Sequence, residues 1–138
     1  MRRLKVKPFN RGVYVNGKLP PPTEDQEQVA LASYLDMVAR DKWFHVPNGS
    51  HKSIAQRMRF KRLGLKPGVP DVWVVIPKKG FYGLVIEMKR QKGGVVSDEQ
   101  KKWVEYLRNV GFSVHVCKGA GPAVEVVNWY LDCNNPST

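Results

Sequence analysis

Two apolar, strand-like segments of this sequence each carry a carboxylate where a buried strand would favour another apolar residue. The segments are "GVPDVWVV", residues 68 to 75, and "VIEMK", residues 85 to 89. Burying an unpaired charge costs several kcal/mol. Asp71, Glu87 and Lys89 must therefore be compensated when the chain folds. Either the three form a structural ion-pair cluster, or the carboxylates surround a metal ion.

The hydrophobic pattern predicts one α/β domain with a mixed sheet, which suits a chain of 138 residues. The expected order is helix, strand, helix, strand, strand, helix, strand, helix, over residues 23–41, 43–47, 53–63, 70–77, 82–89, 97–111, 112–118 and 121–131. The strand–helix–strand crossover at 84–117 should make its two strands parallel. Helices are therefore expected on both faces of the sheet.

Capping residues and apolar spacing support the helices. Thr23 and Ser97 are predicted N-caps, and Gly64 and Gly111 are predicted stops. The first helix should bury a face made by Val29, Leu31, Ala32, Leu35 and Val38. We expect a basic arm at 1–22, the folded domain at 23–133 and a tail at 134–138.

The net charge of +11 is unevenly distributed and predicts a polyanionic partner. Residues 1–20 and 50–70 contain many basic residues and no acid. Neutralising phosphates with such residues releases counterions, so we expect DNA as the partner. The predicted DNA-binding residues are Lys52, Arg57, Arg59, Lys61 and Arg62. No transmembrane helix is expected, because no apolar run approaches the roughly 18 to 20 residues of a membrane span. A membrane surface is disfavoured as the partner, because no strongly amphipathic basic helix with bulky apolar anchors is evident.

The cysteines and the N-terminal residues bear on the compartment. Cys117 and Cys133 provide no disulfide framework, and no CxxC or CxxH pair supports a zinc site. The basic start "MRRLKVKPFN" is not followed by an apolar stretch, so no secretion signal is expected. Together these features favour free thiols and a cytoplasmic location, in a bacterial or phage-infected cell.

Strand geometry groups the candidate catalytic side chains. Because side chains alternate along a strand, Glu87 and Lys89 should share one face while Ile86 and Met88 take the other. If the two central strands form a hairpin, Asp71 can approach Glu87. Two adjacent carboxylates repel unless a cation lies between them, and an oxygen-rich site suits Mg²⁺ or Mn²⁺. Lys89 could then position a water or stabilise the charge of a phosphodiester under attack.

Pro70-Asp71 followed by Glu87-Met88-Lys89 resembles the motif of the PD-(D/E)XK nuclease superfamily. With "HVPNGS", "GLKPGVPDVWVV", "IEMKRQKGGVVSDEQKKWVEYLRNVGF" and "VHVCKG", the chain resembles the VRR-NUC branch from about residue 24 to 131. This resemblance implies a restriction-endonuclease-like fold. It also implies that Gln100 belongs to the active site and that an acid of the first helix, Glu24 or Glu27, completes the metal site.

Simpler structural roles remain for these residues. Gln100 follows Ser97 by the spacing of a capping box, and its helical stripe also faces the sheet, so both roles are compatible. Glu24 and Glu27 could be first-turn acids favoured by the helix dipole. His45 is expected to be a packing residue, and Asn48-Gly49 could be only a turn.

Two functional classes follow: a metal-dependent DNA endonuclease, or a basic binding module without catalysis. No GxSxG elbow or GxxxxGK[ST] loop supports nucleophilic or ATP-driven chemistry. Small VRR-NUC proteins resemble Holliday-junction resolvases, which implies a structure-selective enzyme in DNA repair. Paired cuts suit a homodimer, formed through "VVNWYL" or the N-terminal arm. A sequence-specific restriction-type endonuclease is the alternative.

Overall fold

The computed structural model describes residues 19–47 and 53–133. Predictions for 1–18, for Lys52 and Asn48-Gly49 within 48–52, and for the tail at 134–138 fall outside the described residues. The elements follow the expected order: α1 (Glu24–Val38), β1 (Trp43–His45), α2 (Ile54–Arg62), β2 (Val72–Val74), β3 (Leu84–Lys89), α3 (Asp98–Val110), β4 (Ser113–Lys118) and α4 (Ala120–Leu131). No helix in these ranges is long and apolar enough to cross a membrane.

The strands form one mixed sheet in the order β1-β2-β3-β4. The pairs β1–β2 and β2–β3 are antiparallel, and Val72 lies opposite Ile86. β3 and β4 are parallel, which confirms the crossover predicted through α3. The two central strands therefore form the hairpin on which the site prediction depended.

Apolar side chains cover both faces of the sheet. Ile86 and Met88 lie in one core cluster with Leu31 and Leu35 of α1 and Val127 of α4. On the opposite face, α3 contributes the Val104 and Leu107 side chains to a second cluster, with Val85 and Val114 from the strands. Helices on both faces are thus confirmed. Glu87 points to the α3 face and is only 2% exposed.

The helix ends follow their predicted caps, with some corrections along the elements. Thr23 and Ser97 each form a capping box, and Gly111 ends α3 in the left-handed conformation. α1 ends at Val38, earlier than predicted, and Val29 is 65% exposed rather than buried. Val29 lies two residues from Leu31, about 200° around the helix, so it faces solvent when Leu31 packs on the sheet.

Candidate active site

Asp71 lies immediately before β2 rather than at its first position, and hydrogen bonds to β3 hold it there. Continuing the β2–β3 register places it opposite Glu87. Its Oδ2 accepts a hydrogen bond of 2.9 Å from the main-chain N–H of Met88. The site prediction depended on this approach of Asp71 to the Glu-x-Lys strand.

Gly68 allows the segment before Asp71 to lie directly against the start of α3. Its φ is +79°, and a Cβ added there would lie 2.6 Å from the main-chain carbon of Glu99. Any other residue would combine an unfavourable backbone conformation with this clash. Indole N–H groups brace the same segment: Trp103 donates to Pro67 O at 3.1 Å, and Trp73 donates to Pro70 O at 2.9 Å.

Gln100 combines the predicted capping contact with a hydrogen bond to Glu87. Its Oε1 accepts from the main-chain N–H of Ser97 at 2.9 Å, which completes the capping box. Its Nε2 donates to Glu87 Oε1 at 2.6 Å. The cap therefore fixes the orientation of the amide, and the amide in turn fixes the Glu87 carboxylate.

Without a bound cation, the surroundings of Glu87 favour the protonated, uncharged form of its carboxyl group. Lys89 Nζ lies 3.4 Å from Glu87 Oε1, and both side chains are largely buried. Burial and the Asp71 carboxylate nevertheless raise the pKa of Glu87 to about 8, against the opposing effects of Lys89 and the Asp71 main-chain amide. Burial also raises the pKa of Asp71, and Glu24 adds to this effect. A divalent cation bound beside the two side chains would favour their ionised forms instead.

The open oxygen of Glu87 is where such a cation could bind. Glu87 Oε2 is buried and has no hydrogen-bond partner among the described residues. Within the same residues, no three His, Cys, Asp or Glu side chains converge closely enough to hold an ion by themselves. Mg²⁺ is commonly bound by one or two carboxylates, with water and phosphate oxygens in its other coordination positions. The donor set thus fits a hard divalent cation.

The two candidate glutamates of α1 differ in their surroundings. Glu24 is exposed and close enough to Asp71 to raise its pKa. Glu27 is buried, and its carboxylate is engaged elsewhere: Oε1 accepts from Gln91 Nε2 at 2.7 Å and Oε2 from the Ala120 N–H at 2.5 Å. Glu27 therefore caps the start of α4, whose own N-cap, Gly119, offers no side chain.

Sequence reasoning missed this cap and its partner Gln91. The available signal was Gly119, since a helix that starts at glycine needs an acceptor from another element. The expectation that His45 packs in an apolar strand was wrong. His45 is exposed because it lies on the edge strand β1, and its Nδ1 donates to the Asp71 main-chain oxygen at 3.0 Å.

The predicted DNA-binding residues, apart from Lys52, lie on or at the end of α2. Arg57, Arg59, Lys61 and Arg62 are all exposed. They belong to a different surface from the buried Glu87, and the short segment from Leu63 to Pro70 connects this surface to Asp71.

Comparison with known proteins bears directly on this geometry. The VRR-NUC domain family model matches residues 23–121. The chain is similar to a solved structure described as a VRR_NUC domain protein, with a TM-score of 0.72 and a sequence identity of 27%. The aligned region covers 83% of this chain and 92% of the other. No curated protein matches the sequence. Since the family match spans most of the chain, this protein belongs to the VRR-NUC family, and its domain is a nuclease domain of the PD-(D/E)XK type.

Proposed function

We propose that this protein is a Mg²⁺- or Mn²⁺-dependent endonuclease that hydrolyses phosphodiester bonds in branched DNA, such as Holliday junctions. The proposed metal dependence is supported by the surroundings of the Glu87 carboxyl group. Its Oε2 is buried without a partner among the described residues, and its pKa is raised to about 8 beside Asp71. A divalent cation between the two carboxylates would supply the missing positive charge.

The carboxylates of this site would have different roles in binding the metal ion. Asp71 and Glu87 would hold the ion directly. Glu24 does not converge with them closely enough to be a direct ligand, so we propose that it acts through the water around the ion, as its electrostatic effect on Asp71 suggests. We assign no metal-binding role to Glu27, whose oxygens are both hydrogen-bonded. When bound, the ion supplies a more acidic water and charge neutralisation.

Lys89 and Gln100 complete the proposed machinery from the protein side. The Lys89 ammonium, 11% exposed, can stabilise the negative charge that develops on a phosphodiester under attack. Gln100 keeps Glu87 in one orientation through its 2.6 Å hydrogen bond, so it acts as a positioning residue. The pairing of Gln100 with Ser97 ties that orientation to the start of α3.

The substrate and assembly parts of the proposal depend on charge and symmetry. Arg57, Arg59, Lys61 and Arg62, with Lys52, would contact phosphates. A homodimer of the 23–133 domain would make the paired cuts that a two-fold symmetric junction requires.

Cleavage of matched substrates tests the proposal. Plasmid DNA, four-way junctions, flaps, nicked and linear duplexes are incubated with Mg²⁺, with Mn²⁺ or with EDTA. We expect metal-dependent cleavage with preference for junctions, which is lost in Glu87→Gln and retained in Glu105→Gln, an exposed acid of α3. Full cleavage in EDTA would contradict the metal site, and equal cleavage of all substrates would contradict branch preference.

A non-catalytic DNA-binding module is the second candidate, favoured by the Lys89–Glu87 ion pair at 3.4 Å. If that pair is only structural, removing one partner of a buried pair should destabilise the fold by about 3 to 5 kcal/mol. Stable and inactive Lys89 and Glu87 variants would support the nuclease. Unfolded variants, together with wild-type protein that never cuts, would support the binding module.

A further inference from the structure

The helix α2 exposes an unusual combination of apolar and basic side chains. None of its residues is buried. Ile54 is 73% exposed and Met58 58%, and Leu63 at the C-cap is 70% exposed. Apolar surface concentrated on one short element usually indicates a contact with another molecule. The nature of that molecule follows from the charge that surrounds these side chains.

The local sequence stabilises α2 without help from the core. Ser53 and Gln56 form a reciprocal capping box at its start, and Arg59, Lys61 and Arg62 complement the dipole at its end. A helix this short is nevertheless marginal in water by itself. Its stability should therefore increase when its exposed side chains gain a partner.

The charge of α2 identifies that partner as DNA. The helix carries Arg57, Arg59, Lys61 and Arg62 and no acidic residue. Packing of α2 against α2 of a second copy would bring these like charges together without compensation. A nucleic-acid backbone offers the complementary charge along its whole length.

Phosphates alone do not account for the apolar side chains. Ile54 and Met58 are separated by four residues and lie on one face of the helix. In a continuous duplex the faces of the bases are covered by stacking. At a branch the stack is interrupted, and apolar side chains such as Met and Ile are known to fill interrupted base steps.

We propose that α2 recognises the branch itself: Ile54 and Met58 pack on the base pairs left unstacked at a junction, while its basic residues hold the flanking phosphates. This inference rests on the proposed activity toward branched DNA and adds the element that selects it. The braced segment between Leu63 and Asp71 connects the two surfaces. Gly68 packs on the start of α3 and Trp103 donates to the Pro67 oxygen, so the part of this segment next to Asp71 is held in place.

Binding measured in EDTA separates recognition from cleavage. A four-way junction and a duplex of equal length are titrated with wild-type protein, Met58→Lys and Met58→Ala. Met58→Lys adds a positive charge, so affinity for the duplex should be kept or increased. Its preference for the junction should fall at least several-fold. Met37→Lys is the matched control, because Met37 is 79% exposed on α1 and distant in sequence from α2.

A fluorescent base analogue, 2-aminopurine, placed at the branch reports the contact directly. We expect wild-type protein to change its fluorescence and Met58→Ala to reduce that change, while circular dichroism shows an unchanged helix content. If Met58→Lys keeps both the preference for the junction and the fluorescence change, the inference about α2 is overturned, while the proposed specificity for branched DNA is unaffected. Wild-type protein without junction preference would overturn it together with the branched specificity. A Met58→Lys variant that dissociates into monomers would instead assign α2 to a contact between chains.

Discussion

At the scale of single residues, Glu87 shows how the sequence encodes a site rather than a core. Its neighbours Ile86 and Met88 are fully packed on one face, while Glu87 occupies a buried position on the other. Lys89 and Gln100 each bond to Oε1 and leave Oε2 without a described partner. A purely structural carboxylate would be expected to have both oxygens satisfied.

The raised pKa of Glu87 predicts an unusual pH dependence of stability in the absence of metal. The unfolded side chain has the ordinary value of 4.5, and the folded one about 8, so the folded state binds the extra proton between these values. The free energy of unfolding should therefore fall as the pH rises from about 4.5 to about 8. In Glu87→Gln this fall should be strongly reduced. Urea titrations in EDTA at several pH values measure it, and parallel curves for the two proteins would contradict the assignment.

A second prediction concerns Lys89. Lys89→Ala should bind metal nearly as well as wild type but cleave roughly 10²- to 10³-fold more slowly, since a donor to developing charge contributes mainly in the transition state. Lys102→Ala, an exposed lysine of α3, is the control and should cleave normally. Calorimetric metal titration and single-turnover rates on the same samples separate the two effects. A slow rate that follows lost metal binding would remove the transition-state role.

At the scale of elements, helix ends organise the surroundings of the site. The capping box of α3 aims Gln100 at Glu87, and the buried Glu27 of α1 caps α4 across the fold. Glu27 also binds Gln91, which follows Lys89 closely on the chain, and Gly119 N–H donates to the Lys89 oxygen at 2.9 Å. The start of α1, the end of β3 and the start of α4 are thus joined.

Removing the Glu27 carboxylate should weaken the contact between the start of α1, the end of β3 and the start of α4. We expect Glu27→Ala to lower the free energy of unfolding by about 1 to 3 kcal/mol, because a helix cap and a buried hydrogen bond are lost together. Asp25→Ala removes an exposed first-turn acid of the same helix and should change stability much less. Chemical denaturation of both variants decides between a cap and a mere dipole effect. Equal, small losses would show that the carboxylate contributes only its charge.

The elements also show what sequence could and could not predict. Periodicity and caps predicted the order and type of every described element, because these depend on local spacing. The hairpin that brings Asp71 to Glu87 was only a condition of the site prediction, and the structure fulfils it. The amide orientation of Gln100 could be anticipated, since Ser97 and the apolar stripe of α3 constrain it together. Gly119 indicates locally that α4 needs an acceptor from elsewhere, but the cap joins Glu27 to Ala120, far apart in the chain, and no local pattern identifies Glu27 as that acceptor. Val29 was misplaced because it was grouped with Leu31 as an apolar neighbour, although a separation of two residues places it about 200° away around the helix.

At the scale of the whole molecule, charge and chemistry occupy different places. The carboxylates lie at the central strands, whereas the basic residues of α2 are exposed away from the core. The net charge of +11 would attract DNA over long distances at low salt. Local phosphate contacts, in contrast, determine how steeply the affinity depends on salt.

That salt dependence gives a test of which charges touch DNA. The logarithm of the binding constant should fall linearly with the logarithm of salt concentration, with a slope of about −0.9 for each phosphate neutralised in duplex DNA. Arg59→Ala and Lys61→Ala should each reduce the magnitude of this slope by about one in EDTA, because each removes one contact. Arg40→Ala removes an equal charge from an exposed residue just after the C-terminal end of α1. This variant should bind DNA slightly more weakly, with an unchanged slope. Fluorescence anisotropy at several salt concentrations measures all four proteins. If Arg40→Ala changes the slope as much as the α2 variants do, the attraction is spread over the whole charge of the molecule and α2 is not its binding surface.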